Sequence, residues 1–310
     1  MRRIYARVAS AILAFAFMVG LVVTGTSTAS AVVGGQDATT PWTVSLQSVR
    51  PDGTGRHECG GALIAPRWVI TAKHCEPYIH GFARVGSLQW ASGGDLVPVA
   101  SVIVYPVAGP HMSFGNDMAL VKLSRPVKPQ YWRYILPLGV QGGVGTVSTM
   151  AGWGLTCDTD LNDPACASSF PANLQQLSLQ LVPSNDCAPG VCTPPHGGCT
   201  LISPDTGMDL NDPATMNCYT PVKAGTGPCF DDSGSPFLRW VGSQPFVVGL
   251  DNAEMSTTVL VPHVCSVAPG GGPYHEADTI VAKFVTWIVH TILVNGDADG
   301  SQYVQQHAAA

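Results

Sequence analysis

From Val32 to Leu260 the chain alternates short apolar, β-branched runs with breaks at Gly, Pro, Asn and Asp. Thr43-Val44-Ser45-Leu46, Ala62-Leu63-Ile64, Trp68-Val69-Ile70, Val97 to Val104, Met118 to Leu123, Gln175 to Val182 and Phe246 to Leu250 each read as strands. Runs this short, separated by turn formers, predict a β-barrel or sandwich. The 34 Gly and 25 Pro argue the same way, since Pro breaks helices and Gly costs backbone entropy in them. The exception lies near the C-terminus. There Asp278 is placed to cap a helix carrying Ile280, Phe284, Trp287, Ile288 and Ile292 on one face. Beyond Asn295 the tail offers little to bury, so residues 296–310 are expected to be disordered.

The beginning of the chain has a different pattern. Met-Arg-Arg and Arg7 precede an apolar run from Ala11 to Val23, which ends in Ala29-Ser30-Ala31. That order of basic, apolar and small residues predicts a secretory signal peptide over 1–31. The rival is a membrane anchor, but the run is shorter than the roughly 20 apolar residues a spanning helix needs. Export implies an extracellular protein with no membrane contact once the signal is removed. What remains is ordinary for a single all-β unit, and a monomer is expected.

Composition narrows the partners. A net charge of −6 with scattered Lys and Arg provides no basic stripe for nucleic acid. Ten cysteines in an exported chain favour disulfides over free thiols, although spacing alone does not fix their pairing. Cys192-Thr-Pro-Pro-His196-Gly-Gly-Cys199 offers three ligands where zinc needs four, and a small disulfide-closed loop is the favoured reading. The acidic stretches Asp158 to Asp163 and Asp209 to Asp212 lack an EF-hand pattern and read as solvated loops. No metal or other cofactor is implied.

The candidate chemistry lies in three segments. A serine hydroxyl attacks a carbonyl efficiently only when a base takes its proton and a carboxylate fixes the base's tautomer. His74 closes the run Trp68-Val69-Ile70-Thr71-Ala72-Lys73 and is followed by Cys75. Asp117 precedes the apolar run Met118-Ala119-Leu120-Val121-Lys122-Leu123, and Ser233 sits in Cys229-Phe230-Asp231-Asp232-Ser233-Gly234-Ser235-Pro236. Taken singly, each is more often a structural histidine, a turn Asp or a surface turn. Together they supply nucleophile, base and orienting acid. His57, His111, His263 and His275 have no such company and read as surface or loop residues.

These segments, in the order His, Asp, Ser, resemble the chymotrypsin/trypsin family of secreted serine proteases. Val32-Val33-Gly34-Gly35, Cys59-Gly60-Gly61-Ala62-Leu63-Ile64, Ala151-Gly152-Trp153-Gly154 and Gly272-Pro273-Tyr274 extend the resemblance along the chain. It implies two packed six-stranded β-barrels with a C-terminal helix, spanning a protease domain over 32–295. It also implies cleavage of protein or peptide substrates through an acyl-enzyme. His74, Asp117 and Ser233 would form the triad, and the N–H groups of Asp231 and Ser233 the oxyanion hole. Gly227, Asn252, Glu254 and Gly272 would line the substrate, and a freed Val32 ammonium would pair with Asp232. The implied disulfides are Cys59–Cys75, Cys187–Cys218 and Cys229–Cys265, leaving Cys157–Cys166 and Cys192–Cys199 as close pairs in lengthened loops.

The sequence departs from the family's pattern near the nucleophile. Asp231 and Ser235 replace usual glycines, which puts a Cβ and a carboxylate beside the expected oxyanion site. Gly227 removes the usual acidic pocket floor and favours small or medium apolar substrate side chains, while Glu254 narrows the pocket or adds an acid to its wall. The alternative function is therefore a weakly active or inactive protease-like binding protein.

Overall fold

A computed structural model describes residues 32–106, 116–157, 166, 169–187, 214–255, 265 and 275–308. The short strand β1 (Gln36–Asp37) opens the fold. Then β2 (Thr43–Val49), β3 (Gly55–Ala65), β4 (Trp68–Thr71), β5 (Phe82–Val85), β6 (Asp95–Val104) and β7 (Ala119–Leu123) close a barrel in the order β2-β3-β4-β7-β6-β5. A second ring follows, built from β8 (Val147–Gly152), β9 (Gln175–Val182), β10 (Met216–Pro221), β11 (Pro236–Val241), β12 (Gln244–Met255) and β13 (His275–Ile280). Its order is β8-β9-β10-β13-β12-β11, closed by the β8–β11 pair, with β1 added outside β9. The fold is therefore two six-stranded antiparallel barrels, mostly β.

Strand patterning explains which faces are covered. In β9, Leu177, Leu179 and Leu181 point into the second barrel while the intervening Gln176, Ser178 and Gln180 lie further out, the period-two signature of a half-buried strand. β4 is buried on both faces. Its Val69 fills the first barrel, whereas Trp68 and Ile70 join Leu238, Val247, Leu250 and Ile288 in the core between the barrels and the C-terminal helices.

The C-terminal region differs from its sequence reading. Asp278 is a strand residue, and the helix α1 (Val285–Val294) begins only after a 3-10 turn over Val281–Lys283. Residues 276–280 have enough β-branched and apolar character to complete the second barrel's ladder, and tertiary pairing prevails over helical spacing there. The tail expected to be disordered contains a second helix, α2 (Ala298–His307). Asp297 caps it, with Oδ1 accepting from Gly300 N at 2.8 Å and Oδ2 accepting from Trp68 Nε1 at 2.8 Å. Val304 is 2 % exposed in the inter-barrel core, and Ser301 Oγ donates to the Val289 carbonyl at 2.9 Å. A polar segment with one well-placed valine is ordered by a groove already present, which composition alone does not reveal. Among the described residues no helix is long and apolar enough to cross a membrane.

Candidate active site

His74 and Asp117 meet because of strand register. β4 pairs with β7 through Thr71 and Ala119, so the residues just after β4 lie beside those just before β7. His74 occupies the 3-10 turn over Lys73–Tyr78, and the Cys59–Cys75 disulfide ties that turn back to β3. Asp117 is 4 % exposed and grips His74 twice. Its Oδ2 lies 2.6 Å from His74 Nδ1, and its Oδ1 accepts the His74 backbone N–H at 2.8 Å. Burial alone would lower the His74 pKa, but the Asp117 charge and hydrogen bond outweigh it and the net shift is upward. The second barrel props this pair: Asn252 Nδ2 donates to Thr279 Oγ1 at 3.1 Å, which donates to the Asp117 carbonyl at 3.3 Å.

Ser233 arrives from the second barrel on a loop that is zipped to both barrels. Gly60 N of β3 donates to the Ser233 carbonyl at 2.8 Å, and Cys75 Sγ lies 3.7 Å from the same oxygen. On the other side Gly234 N donates to the Asp251 carbonyl at 2.8 Å, and Asp251 N donates to the Ser235 carbonyl at 2.9 Å. Ser233 therefore lies between β3 and β12, with its backbone against the residue that follows His74. Gly234 has φ 78°, and a Cβ there would collide with Thr71 Oγ1.

Asp231 adopts φ 72°, a left-handed conformation that Asp tolerates better than most residues. Neither its backbone N–H nor that of Ser233 has a hydrogen-bond acceptor among the described residues. Its carbonyl is held by His57 Nε2 at 3.0 Å. A carbonyl only accepts, so Nε2 bears the proton and Nδ1 accepts from Ser45 Oγ at 2.9 Å; Gln47 Nε2 donates to the same Oγ at 3.0 Å. Burial pushes His57 down to about 4, so the ring is neutral. The sequence reading of His57 as a surface residue is thus corrected. It shares the inward face of β3 with Cys59, and that period-two alternation was the available signal.

Burial also raises the two neighbouring carboxyls. Asp231 is pushed up to about 7 by burial, against an opposing Arg56 charge. Asp232 is fully buried and also raised to about 7, despite hydrogen bonds from Cys229 N at 2.9 Å and Gly154 N at 2.8 Å. Gly154 is required there, since a Cβ would press on the Asp232 carboxylate. Val32 is fully buried among Leu177, Leu179 and Phe237, and Gly227 N donates to the Val33 carbonyl at 3.2 Å.

Cys229–Cys265 closes a segment that begins with the Ser233 loop, and Cys157–Cys166 closes a shorter one in the second half of the chain. Cys218 is disulfide-bonded, while the side chain of Cys187 lies outside the described residues. Cys192, Cys199 and Gly272 also lie outside them, as does the Glu254 side chain, although the Glu254 backbone pairs with Glu276.

The family model described as Trypsin matches residues 32–258 of this chain. Granzyme M of Homo sapiens is 27 % identical over 87 % of this chain and 92 % of its own length. Anionic trypsin of Bos taurus is 28 % identical over 85 % of this chain and 90 % of its own. Ovochymase of Halocynthia roretzi is 26 % identical over 86 % of this chain, which spans 15 % of that much longer protein.

Proposed function

Because the chain belongs to the trypsin family, we propose that it is a secreted serine endopeptidase cleaving peptide bonds through an acyl-enzyme on Ser233. The observation that carries this reading is the double grip of the buried Asp117 on His74, which fixes the imidazole tautomer with Nε2 free to act as base. Ser233 Oγ attacks the scissile carbonyl as its proton passes to His74. Asp117 stabilises the imidazolium, and the same proton then goes to the leaving amine. The developing oxyanion takes the unspent N–H groups of Asp231 and Ser233, each worth on the order of 10²–10³ in kcat. Water, activated by His74, releases the acyl group. Gly227 at the pocket floor favours small or medium apolar side chains on the acyl side.

Export and maturation belong to the same proposal. The disulfides Cys59–Cys75, Cys157–Cys166 and Cys229–Cys265 suit an oxidising compartment. Removal of 1–31 would free a Val32 ammonium, and the buried Asp232 has no ion-pair partner among the described residues. N-terminal sequencing of secreted protein is expected to begin at Val32.

The test is labelling by a serine-directed fluorophosphonate. Wild type is expected to label and Ser233→Ala to remain unlabelled, with matched circular dichroism. Absence of label in folded wild type would instead favour a protease-like binding protein.

A further inference from the structure

Beside Asp231, between His57, Trp90, Trp153 and Phe170, lies a cavity of about 50 Å³. Arg50 and Arg56 line it. The β2–β3 ladder pairs Ser48 with Arg56 and continues through Arg50 N to the Thr54 carbonyl at 2.7 Å, which puts both arginines on one face of the hairpin as diagonal neighbours. Each guanidinium rests on an aromatic ring, Arg50 5.8 Å from the Trp90 centroid and Arg56 6.0 Å from that of Phe170. Such stacking orients the fork and leaves its N–H edges available.

Neither guanidinium donates a hydrogen bond among the described residues. Arg56 approaches Glu58 and Asp231 only to 3.8 Å each, beyond hydrogen-bond reach. Glu58 is already engaged by Ser48 Oγ at 2.6 Å, and Asp231, raised to about 7 by burial, is part-neutral near neutrality and competes weakly. The Arg56 side chain stays 50 % exposed. The site thus holds two positive, oriented groups whose N–H donors make no hydrogen bond among the described residues, with Arg56 sharing its charge with Glu58 and Asp231.

We infer that Arg50 and Arg56 form a subsite that selects an acidic side chain on the leaving-group side of the scissile bond. The inference rests on Ser233 being the nucleophile. β3 and β12 grip the Ser233–Gly234 backbone from opposite sides. An acyl segment running along Asn252–Glu254 therefore directs the leaving segment along β3, towards Arg56 four residues upstream of Gly60. A carboxylate arriving there accepts charge-assisted hydrogen bonds from either fork.

The test uses mature protein and internally quenched peptides with one acyl side, carrying Asp, Asn or Lys at each of the first three leaving-side positions. At one position kcat/KM is expected to be at least tenfold higher for Asp than for Lys and threefold higher than for Asn. Arg50→Gln/Arg56→Gln should bring the Asp:Asn ratio within twofold, while Arg50→Lys/Arg56→Lys keeps Asp ahead of Lys. These are ratios on one preparation, so partial misfolding of a variant cancels. An unchanged Asp:Asn ratio in the double Gln variant, or Lys preferred at all three positions, overturns the subsite. If no peptide is cleaved and no fluorophosphonate label forms, the protease reading fails separately. The subsite is then decided by calorimetry with the Asp-bearing leaving-side tetrapeptide. Binding lost in the double Gln variant supports it, and no binding to wild type overturns it.

Discussion

The two halves of the candidate site are held in opposite ways. On the first-barrel side both oxygens of Asp117 are spent on His74, and the Cys59–Cys75 bond and the β4–β7 ladder fix the backbone. On the second-barrel side a left-handed Asp231, two N–H groups without acceptors among the described residues and two carboxyls raised by burial to about 7 crowd into three residues. The first half is a satisfied hydrogen-bond network. The second stores strain and poorly solvated charge, as sites aimed at a transition state often do. Rate should therefore depend most on the orientation held by the first half, and pH sensitivity should concentrate in the second.

The largest effect should come from disrupting the satisfied half. Asp117→Asn keeps the shape but presents an amide to His74 and favours the wrong tautomer, so kcat should fall by on the order of 10⁴ with little loss of stability. Steady-state kinetics with thermal melts checks this, and a fall below tenfold would mean that His74 is not the base.

Next in size is the pH dependence of stability in the chain that retains 1–31. Asp231 and Asp232 are raised to about 7 and Asp278, buried in the second barrel, to about 8. The folded state therefore holds these protons more tightly than the unfolded chain. Their stabilisation is complete below the ordinary carboxylate range and is lost as pH rises through 7–8. His57, lowered to about 4, pulls the other way only below about 6.5. Urea midpoints should thus fall between pH 6.5 and 8, at up to about 1.4 kcal/mol per pH unit for each group that titrates in that window. Asp278→Asn should flatten the slope, and a flat wild-type profile would refute the assignment. Removal of 1–31 should flatten it too if the Val32 ammonium meets Asp232.

Asp231→Gly comes third. It removes the carboxylate from the oxyanion side and suits φ 72°, so kcat should rise. Losing a donor outright costs on the order of 10²–10³, and the Asp231 N–H is already unspent, which keeps the gain to several-fold. Kinetics at several salt concentrations should show the gain shrinking with screening. No gain at any salt would mean that Asp231 does no harm to the hole.

The smallest effect on rate tests the contrast from outside. Val304→Ala in α2 should cost roughly 1–2 kcal/mol of stability by leaving a cavity beside Trp68 and Ile292, with kcat unchanged. A changed kcat would show that the helix pair reaches the site.

Sequence alone determined the strand runs that alternate or are wholly apolar, because burial leaves a period-two or continuous signature, as at Gln175 to Val182 and Trp68 to Ile70. It also marked the three candidate catalytic segments by residue type and order. It did not determine the role of Asp278, read as a cap and found in a ladder, or of the tail, whose one buried valine depends on a groove built by β4 and α1. Nor did it place His57, 174 residues from the Asp231 carbonyl it holds, or set Arg50 and Arg56 on one face beside that residue. Local pattern records which side of an element is covered. Contacts between distant segments depend on barrel closure, which fixes register and distance only once both barrels exist.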